Sequence, residues 1–231
     1  MKIHYQSESK IATIRMDDGK ANAMDFVFFE EMNQSLDHLE SDGSKAVIIT
    51  GRPGYFSAGL DIKLMPTLPP AQVNALADTF ARTLLRVFAL PVPTIAVCSG
   101  HAVAGGAMLA LACDLRFVVD GPYRIQMNEM MIGIPFPSWM LLIGRSAMPA
   151  QFFAEAFLHA KTYSPEEAVE KGISHGLIKE EEDPLAAAMG RAERLKNLNL
   201  HAYRTSKKRL CAAEVERVLE LLKNELPFAD V

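Results

Sequence analysis

The chain has 231 residues, of which 49% are hydrophobic, 23% charged and 8% aromatic, enough to bury the core of one large domain. Its 24 basic and 28 acidic residues leave a net charge of -4, without the positive field that nucleic-acid backbones or anionic membranes select, and its 14 glycines and 13 prolines exclude collagen-like and low-complexity classes. Cys98, Cys113 and Cys211 are an odd set with no CxxC pair, and no two of the six histidines stand four apart, so buried thiols and no metal site are expected.

The chain opens MKIHYQSESK and closes FADV, with neither a basic leader nor a peroxisomal tripeptide, which makes a cytoplasmic location the expectation. Two strands are predicted first, over about 3–7 and 10–16. Phe28, Met32, Leu36 and Leu39 then recur at helical spacing, with Asp25 as the N-cap of a helix over 25–39. Residues 46–50, AVIIT, are apolar throughout and suit a strand covered on both faces, which implies a parallel layer. The loop GRPGYFSAGLDIK leads into a second helix over 70–88. The run from Phe88 to Cys113 is apolar enough to suggest a membrane span, but Pro91, Pro93 and the Ser99-Gly100 pair punctuate it, and it reads as a buried strand, a turn and a small-residue helix. Strands over 114–119 and 123–127 follow, and from Pro149 onward only helices are predicted, over 150–159, 164–171, 184–197 and 200–225. The acidic run Glu180-Glu181-Glu182-Asp183 reads as a solvated loop.

Three stretches could carry chemistry. Phe56-Ser57-Ala58-Gly59-Leu60-Asp61 places small residues between a strand and a helix, where backbone N–H groups can face a ligand; by itself it reads as an ordinary βα turn with Gly59 at positive φ. Gly100 to Ala107 opens a helix with glycine and alanine, which serves either an oxyanion or the close approach of two backbones. Taken together, the two turns could each give one donor to a single carbonyl oxygen. In the third, Met127 to Phe136, the lone carboxylate Glu129 stands among methionines, isoleucines and a phenylalanine, with Trp139 close behind. Such surroundings raise the proton affinity of a carboxylate and make it a better base, unless Arg116, Arg124 or Arg145 neutralises it.

Through FSAGLDI at 56–62, GHAVAGGAMLALACDLR at 100–116 and MNEMMIGI at 127–134, the sequence resembles the crotonase superfamily, the enoyl-CoA hydratase/isomerase family, from about Ile11 to Gly176 and more loosely to the end. The resemblance implies an α/β fold, a crotonase-like spiral of ββα units over residues 1–176, with 177–231 as a helical oligomerisation region of the same domain that builds trimers or dimers of trimers. It implies an acyl-CoA thioester as substrate and no cofactor, coenzyme A being part of that substrate. The backbone N–H groups of Leu60 and Gly105 would form an oxyanion hole. Ala58, Gly59, Asp61 and Ile62 would line coenzyme A, with Lys20, Ala21 and the following Asn22-Ala23-Met24 beside them. Glu129 would be the base, Asn128 a positioning residue, and Met108, Met130, Phe136 and Trp139 the acyl pocket.

Hydratases of this family carry a second glutamate three residues after the oxyanion-hole glycine, where this chain has Met108. A single carboxylate resembles the Δ3,Δ2-enoyl-CoA isomerase branch, in which one base removes a C2 proton and returns it at C4. The alternatives are another single-carboxylate reaction of the family, such as thioester hydrolysis, decarboxylation or weak hydration, and a non-catalytic acyl-CoA-binding subunit.

Overall fold

The structure is a computed structural model and describes residues 1–179 and 181–227; Glu180 of the acidic run and the closing residues 228–231 lie outside the described residues. The chain begins with an antiparallel pair, β1 (Ile3–Glu8) and β2 (Ile11–Met16), followed by α1 (Phe26–Ser41). Asp25 caps α1 by accepting from the Phe28 N–H at 2.9 Å. From there the chain repeats one theme. β3 (Ala46–Thr50), β4 (Gly54–Ser57) and α2 (Pro70–Phe88) make one unit; β5 (Thr94–Cys98), β6 (Gly100–Val103) and α3 (Gly105–Ala112) make the next; β7 (Leu115–Val119) and β8 (Ile125–Gln126) then lead to α4 (Ser138–Ala147).

The first strand of each unit joins a six-stranded sheet and the second joins a three-stranded sheet. After α5 (Ala150–Phe157) and α6 (Pro165–Glu170), β9 (Leu177–Ile178) completes the larger sheet, ordered β1-β2-β3-β5-β7-β9 and parallel from β2 onward. The smaller sheet, β4-β6-β8, is parallel throughout. Each ββα turn therefore advances along two sheets at once, and the loops that cross from the smaller sheet to a helix gather on one side.

The central strands β3 and β5 of the larger sheet are buried on both faces, as their unbroken apolar runs require, while the edge strand β1 is largely exposed. One face packs on α1, α2 and α3 through Phe28, Leu36, Leu84 and Leu109, and the other on α7 (Pro184–Leu195) through Ala188 and Ala192 against Ile48, Ile95 and Val97. The long α8 (Leu200–Leu222) crosses back to α2 and α4.

Three expectations need correction. The loop after β3 contains β4, and the predicted Ser99-Gly100 turn runs directly into β6. The two strands lie so close that a Cβ on Gly100 would come within 2.0 Å of the Gly54 carbonyl carbon. Residues beyond Pro149 are not all helical, because Leu177 and Ile178 pair with Val118 and Val119. Among the described residues no helix is long and apolar enough to cross a membrane, and the 88–113 run divides between β5, β6 and α3.

Candidate active site

The loop after β4 uses nearly all of its amides. Ala58 N–H donates to Ala21 O (3.0 Å), Gly59 N–H to the Ser57 hydroxyl (3.1 Å), Asp61 N–H to Met24 O (3.0 Å) and Ile62 N–H to Leu60 O (2.8 Å). The Leu60 N–H takes part in none of the hydrogen bonds among the described residues. The loop after β6 repeats the pattern. Ala102 and Ala104 donate to Arg124 O and Gln126 O, at 3.0 and 2.8 Å, while Gly105, as the first residue of α3, has an N–H with no intrahelical acceptor. Ala104 stands at φ 49, ψ -123, a left-handed conformation strained for a residue with a side chain, so the Ala104–Gly105 peptide does not continue the helical orientation.

These two loops touch. A Cβ on Gly59, itself at φ 83, would lie 2.6 Å from the Gly105 nitrogen, and one on Gly105 would lie 3.2 Å from the Gly59 Cα. Small residues are therefore obligatory here because two backbones share the space.

Glu129 begins a 3-10 turn, Glu129–Ile132, that follows β8 and is closed by Gly133 at φ 74. The Ile134 N–H donates to the Glu129 carbonyl at 2.9 Å and ties the turn down. Only 4% of the residue is exposed, and loss of water pushes the carboxyl up from 4.5 to about 7. Its Oε2 and the Oδ1 of neighbouring Asn128 are buried without a hydrogen-bond partner. None of the ion pairs among the described residues includes Glu129. Arg116 spends its guanidinium on the carbonyls of Ile173, Cys113 and Ala147, and Arg145 lies over the Phe153 ring.

Leu60, Gly105, Asn128 and Glu129 all line one cavity of about 960 Å³. Lys20, Lys63 and Arg124 line it as well, alongside Asp18 and Asp61, and none of these three cations forms an ion pair among the described residues. His101, also in the lining, accepts from the Arg124 N–H through Nδ1 (3.1 Å), which places the proton of the neutral ring on Nε2. Burial, and then Arg124, holds its pKa below the ordinary histidine value.

The family model described as "Enoyl-CoA hydratase/isomerase" matches residues 6–226. The chain belongs to this family. It is 31% identical over 175 residues to the human mitochondrial enoyl-CoA delta isomerase 1, an alignment that covers 74% of this chain and 58% of that protein, so the chain spans little more than half of that relative's length. It is 38% identical over 109 residues to a bovine mitochondrial enoyl-CoA hydratase domain-containing protein 2, covering 46% of this chain and 37% of that one. The crystal structure of human mitochondrial delta3-delta2-enoyl-CoA isomerase superposes with a TM-score of 0.93 at 26% identity, covering 99% of this chain and 92% of that one. The fold is the crotonase-like one.

Of the residues that the family resemblance singles out, Lys20, Ala21, Ala58, Leu60, Asp61, Ile62, Gly105, Asn128 and Glu129 line the same cavity. Gly59 is packed beneath it against Gly105. The acyl-pocket group divides. Phe136 and Trp139 line an adjoining cavity of about 580 Å³. Met108 and Met130 line neither: Met108 is wholly buried in the core on α3, and Met130 is 37% exposed on the 3-10 turn. Sequence reasoning missed Phe80, which reaches the cavity from α2 and stacks edge-on against Trp139 at 4.9 Å, and Lys63; Arg124, considered there as a neutralising partner of Glu129, lines the cavity without an ion pair to it. Lys63 directly follows the FSAGLDI motif, which could have drawn attention to it; Phe80 sits in an ordinary amphipathic helix and carries no such signal.

Proposed function

We propose that the chain is an acyl-CoA isomerase that moves a 3-enoyl double bond to the 2-position with Glu129 as its single proton carrier. The observation that carries the reading is a buried carboxylate, raised to about 7 and with one oxygen unpartnered, on a residue lining the cavity that Leu60 and Gly105 also line. A carboxylate in that state is a competent base near neutral pH, because its proton affinity is matched to the task and no cation among the described residues pairs with it. It removes a C2 proton; the electrons move onto the thioester oxygen, which the two N–H groups hold as a dienolate; protonation at C4 by the same carboxyl then completes the shift. Each such donor lowers the barrier by about 3 kcal/mol in enzymes where one has been removed.

Hydration would need a second carboxylate to orient water, and the other two acids in the cavity lining are occupied. Asp18 accepts from the Lys20, Asn22 and Ala23 amides, and Asp61 from those of Lys63 and Leu64. The Met108 position offers only a thioether inside the core. On this reading coenzyme A is part of the substrate, no separate cofactor is required, and the working assembly is a trimer or a pair of trimers, to be checked by light scattering.

The test is to give the purified protein a 3-enoyl-CoA, a 2-enoyl-CoA and a saturated acyl-CoA, and to follow conjugated thioester, hydrated product and free thiol separately. Conjugated product from the 3-enoyl substrate alone is expected. Hydrated product from the 2-enoyl substrate at a comparable rate, or release of free thiol, would replace the isomerase reading.

A further inference from the structure

The turn that carries Glu129 has few ties to the rest of the protein. Met130, Met131, Ile132 and Ile134 are all exposed, Met131 by 71%. The backbone bonds of residues 128–134 stay inside the turn: Met131 N–H to Asn128 O (3.0 Å), Gly133 N–H to Met130 O (3.4 Å) and Ile134 N–H to Glu129 O (2.9 Å). Among the described residues one hydrogen bond reaches the turn from outside it. The Gln126 side chain donates from Nε2 to Met131 Sδ at 3.4 Å.

Gln126 is itself fixed on both sides. It is buried at the end of β8, and the second proton of the same amide goes to the Ala160 carbonyl at 2.8 Å. Ala160 opens a stretch that runs back along β8, where Ile125 and Tyr163 exchange backbone bonds of 3.0 Å in each direction. It stands at φ 50, a left-handed conformation that persists in a residue with a side chain only where its neighbours hold it. On the opposite side β8 pairs with β6, and the Gln126 carbonyl accepts the N–H of Ala104, the strained residue directly before Gly105, at 2.8 Å. One residue is thus bonded through its main chain to the loop that carries Gly105 and through its side chain to the turn that carries Glu129. No hydrogen bond among the described residues joins those two segments directly.

We propose that Gln126 is a positioning residue for the proton transfer: its side-chain amide, anchored on the Ala160 carbonyl, holds the Met131 sulfur and through it the turn that sets where Glu129 stands relative to Gly105. A thioether is a weak acceptor, but here it is the one polar handle that the rest of the protein has on the turn, and small misplacements of a reacting group are costly. The inference rests on the reading of Glu129 as the proton carrier and adds what keeps that carboxyl in register with the loop after β6.

Two readouts test it: kcat and KM for a 3-enoyl-CoA across pH, and carbon-13 NMR titration of the Glu129 carboxyl, assigned by its absence from Glu129→Gln. Met131→Leu removes the acceptor and keeps the bulk of an exposed side chain, whereas Met131→Gln puts an oxygen acceptor at similar reach. Met131→Leu should lower kcat about fivefold with KM within about twofold of wild type, the split expected when a reacting group is displaced and binding is not. It should also move the carboxyl titration and the limb of the pH–rate profile down toward the ordinary carboxylate range, as water reaches a turn that is no longer held. Met131→Gln should restore both. Gln126→Leu should cost about tenfold in kcat, and adding Met131→Leu to it should cost nothing more, because both changes cut the same bond. Should Gln126→Leu fail to fold, since it strands the Ala160 carbonyl, the two Met131 variants decide alone. A Met131→Leu protein with wild-type kcat and carboxyl titration, a Met131→Gln protein no better than Met131→Leu, or a double variant whose loss is the product of the two single losses would overturn the proposal. Isomerisation at one rate in every variant would sink this inference and spare the reading beneath it. A wild-type protein that does not isomerise, but whose Glu129 titration still shifts in Met131→Leu, would do the reverse.

Discussion

The two ends of α3 are built on opposite principles. At its C-terminal end the charged side chains are engaged. Arg116 donates to the Cys113 carbonyl at 2.9 Å, and Asp114 accepts from the Thr94 N–H (2.8 Å), the Thr94 hydroxyl (3.0 Å) and the Tyr203 hydroxyl (2.7 Å) while also pairing with Lys207 of α8. At its N-terminal end the Gly105 N–H is unclaimed, Ala104 is strained, and the carboxylate that shares the cavity, Glu129, has an unpartnered oxygen. Both ends hold an acid in a part-buried or buried setting. The acid that holds the fold together is saturated with donors, and the one left short of them is the one that the proposed function uses as its proton carrier.

Replacing Glu129 is the strongest way to break this comparison. Glu129→Gln should lower isomerisation of a 3-enoyl-CoA about 10³-fold or more, since a positioned base contributes factors of this order. The same change should stabilise the fold. In the native state the group holds its proton up to about 7, against 4.5 in the unfolded chain, so stability falls as pH rises across that window and stays lower above it. The variant escapes that loss and at pH 8 should be more stable by about 3 kcal/mol in calorimetry. The wild-type rate should follow the opposite slope, rising with pH to a plateau above about 7. A Glu129→Gln protein that is less stable at pH 8 would place the carboxylate among the fold-bearing acids with Asp114.

The next effect in size belongs to Gly59. Gly59→Ala puts a Cβ 2.6 Å from the Gly105 nitrogen at a backbone position with φ 83, so the two loops must separate. Loss of one aligned donor predicts a fall of about 10² to 10³ in kcat, with a smaller change in KM, measured on the same substrate. At the saturated end of α3 the expectation reverses. Asp114→Ala strands the Lys207 ammonium and two hydroxyls, and should destabilise the protein by about 3 kcal/mol in denaturant titration, with kcat per folded molecule near wild type.

How much of this was legible in the sequence follows the same division. β3 and α2 match their predicted bounds, because an unbroken apolar run and a Pro-started amphipathic helix are local signals. β4 and β6, four residues each, were not predicted: β6 follows β5 after one residue, and both pair with segments far along the chain, which no local period records, whereas β8 falls inside the strand predicted over 123–127. The glycine-rich loops and Glu129 were visible as motifs, but that Gly59 packs on the Gly105 nitrogen is a tertiary fact. Met108 and Phe80 show the limit most plainly. Both are buried apolar residues on helices, and only the packing decides that Phe80 reaches a cavity and Met108 does not.

The smallest expected effect sharpens where the boundary between the two kinds of region runs. Asp25 caps α1 and pairs with Lys2 at 2.7 Å, directly after Met24, whose N–H and carbonyl hold the Gly59 and Asp61 backbone. Burial alone would raise its carboxyl, but the Lys2 ammonium and the Phe28 N–H outweigh that and hold it below the ordinary aspartate value. A lowered pKa in the native state means its contribution is present above the unfolded value and is lost as pH falls through the native one, so it is an acid-side effect. Asp25→Ala should therefore lower stability by about 1 kcal/mol at neutral pH, the usual loss for an N-cap, and the difference from wild type should shrink toward pH 3. If α1 only supports the fold, kcat stays within twofold. A fall of tenfold or more would mean that the cap, acting through Met24, sets the position of the Leu60 amide, and the reaction-bearing region would then extend to the start of α1.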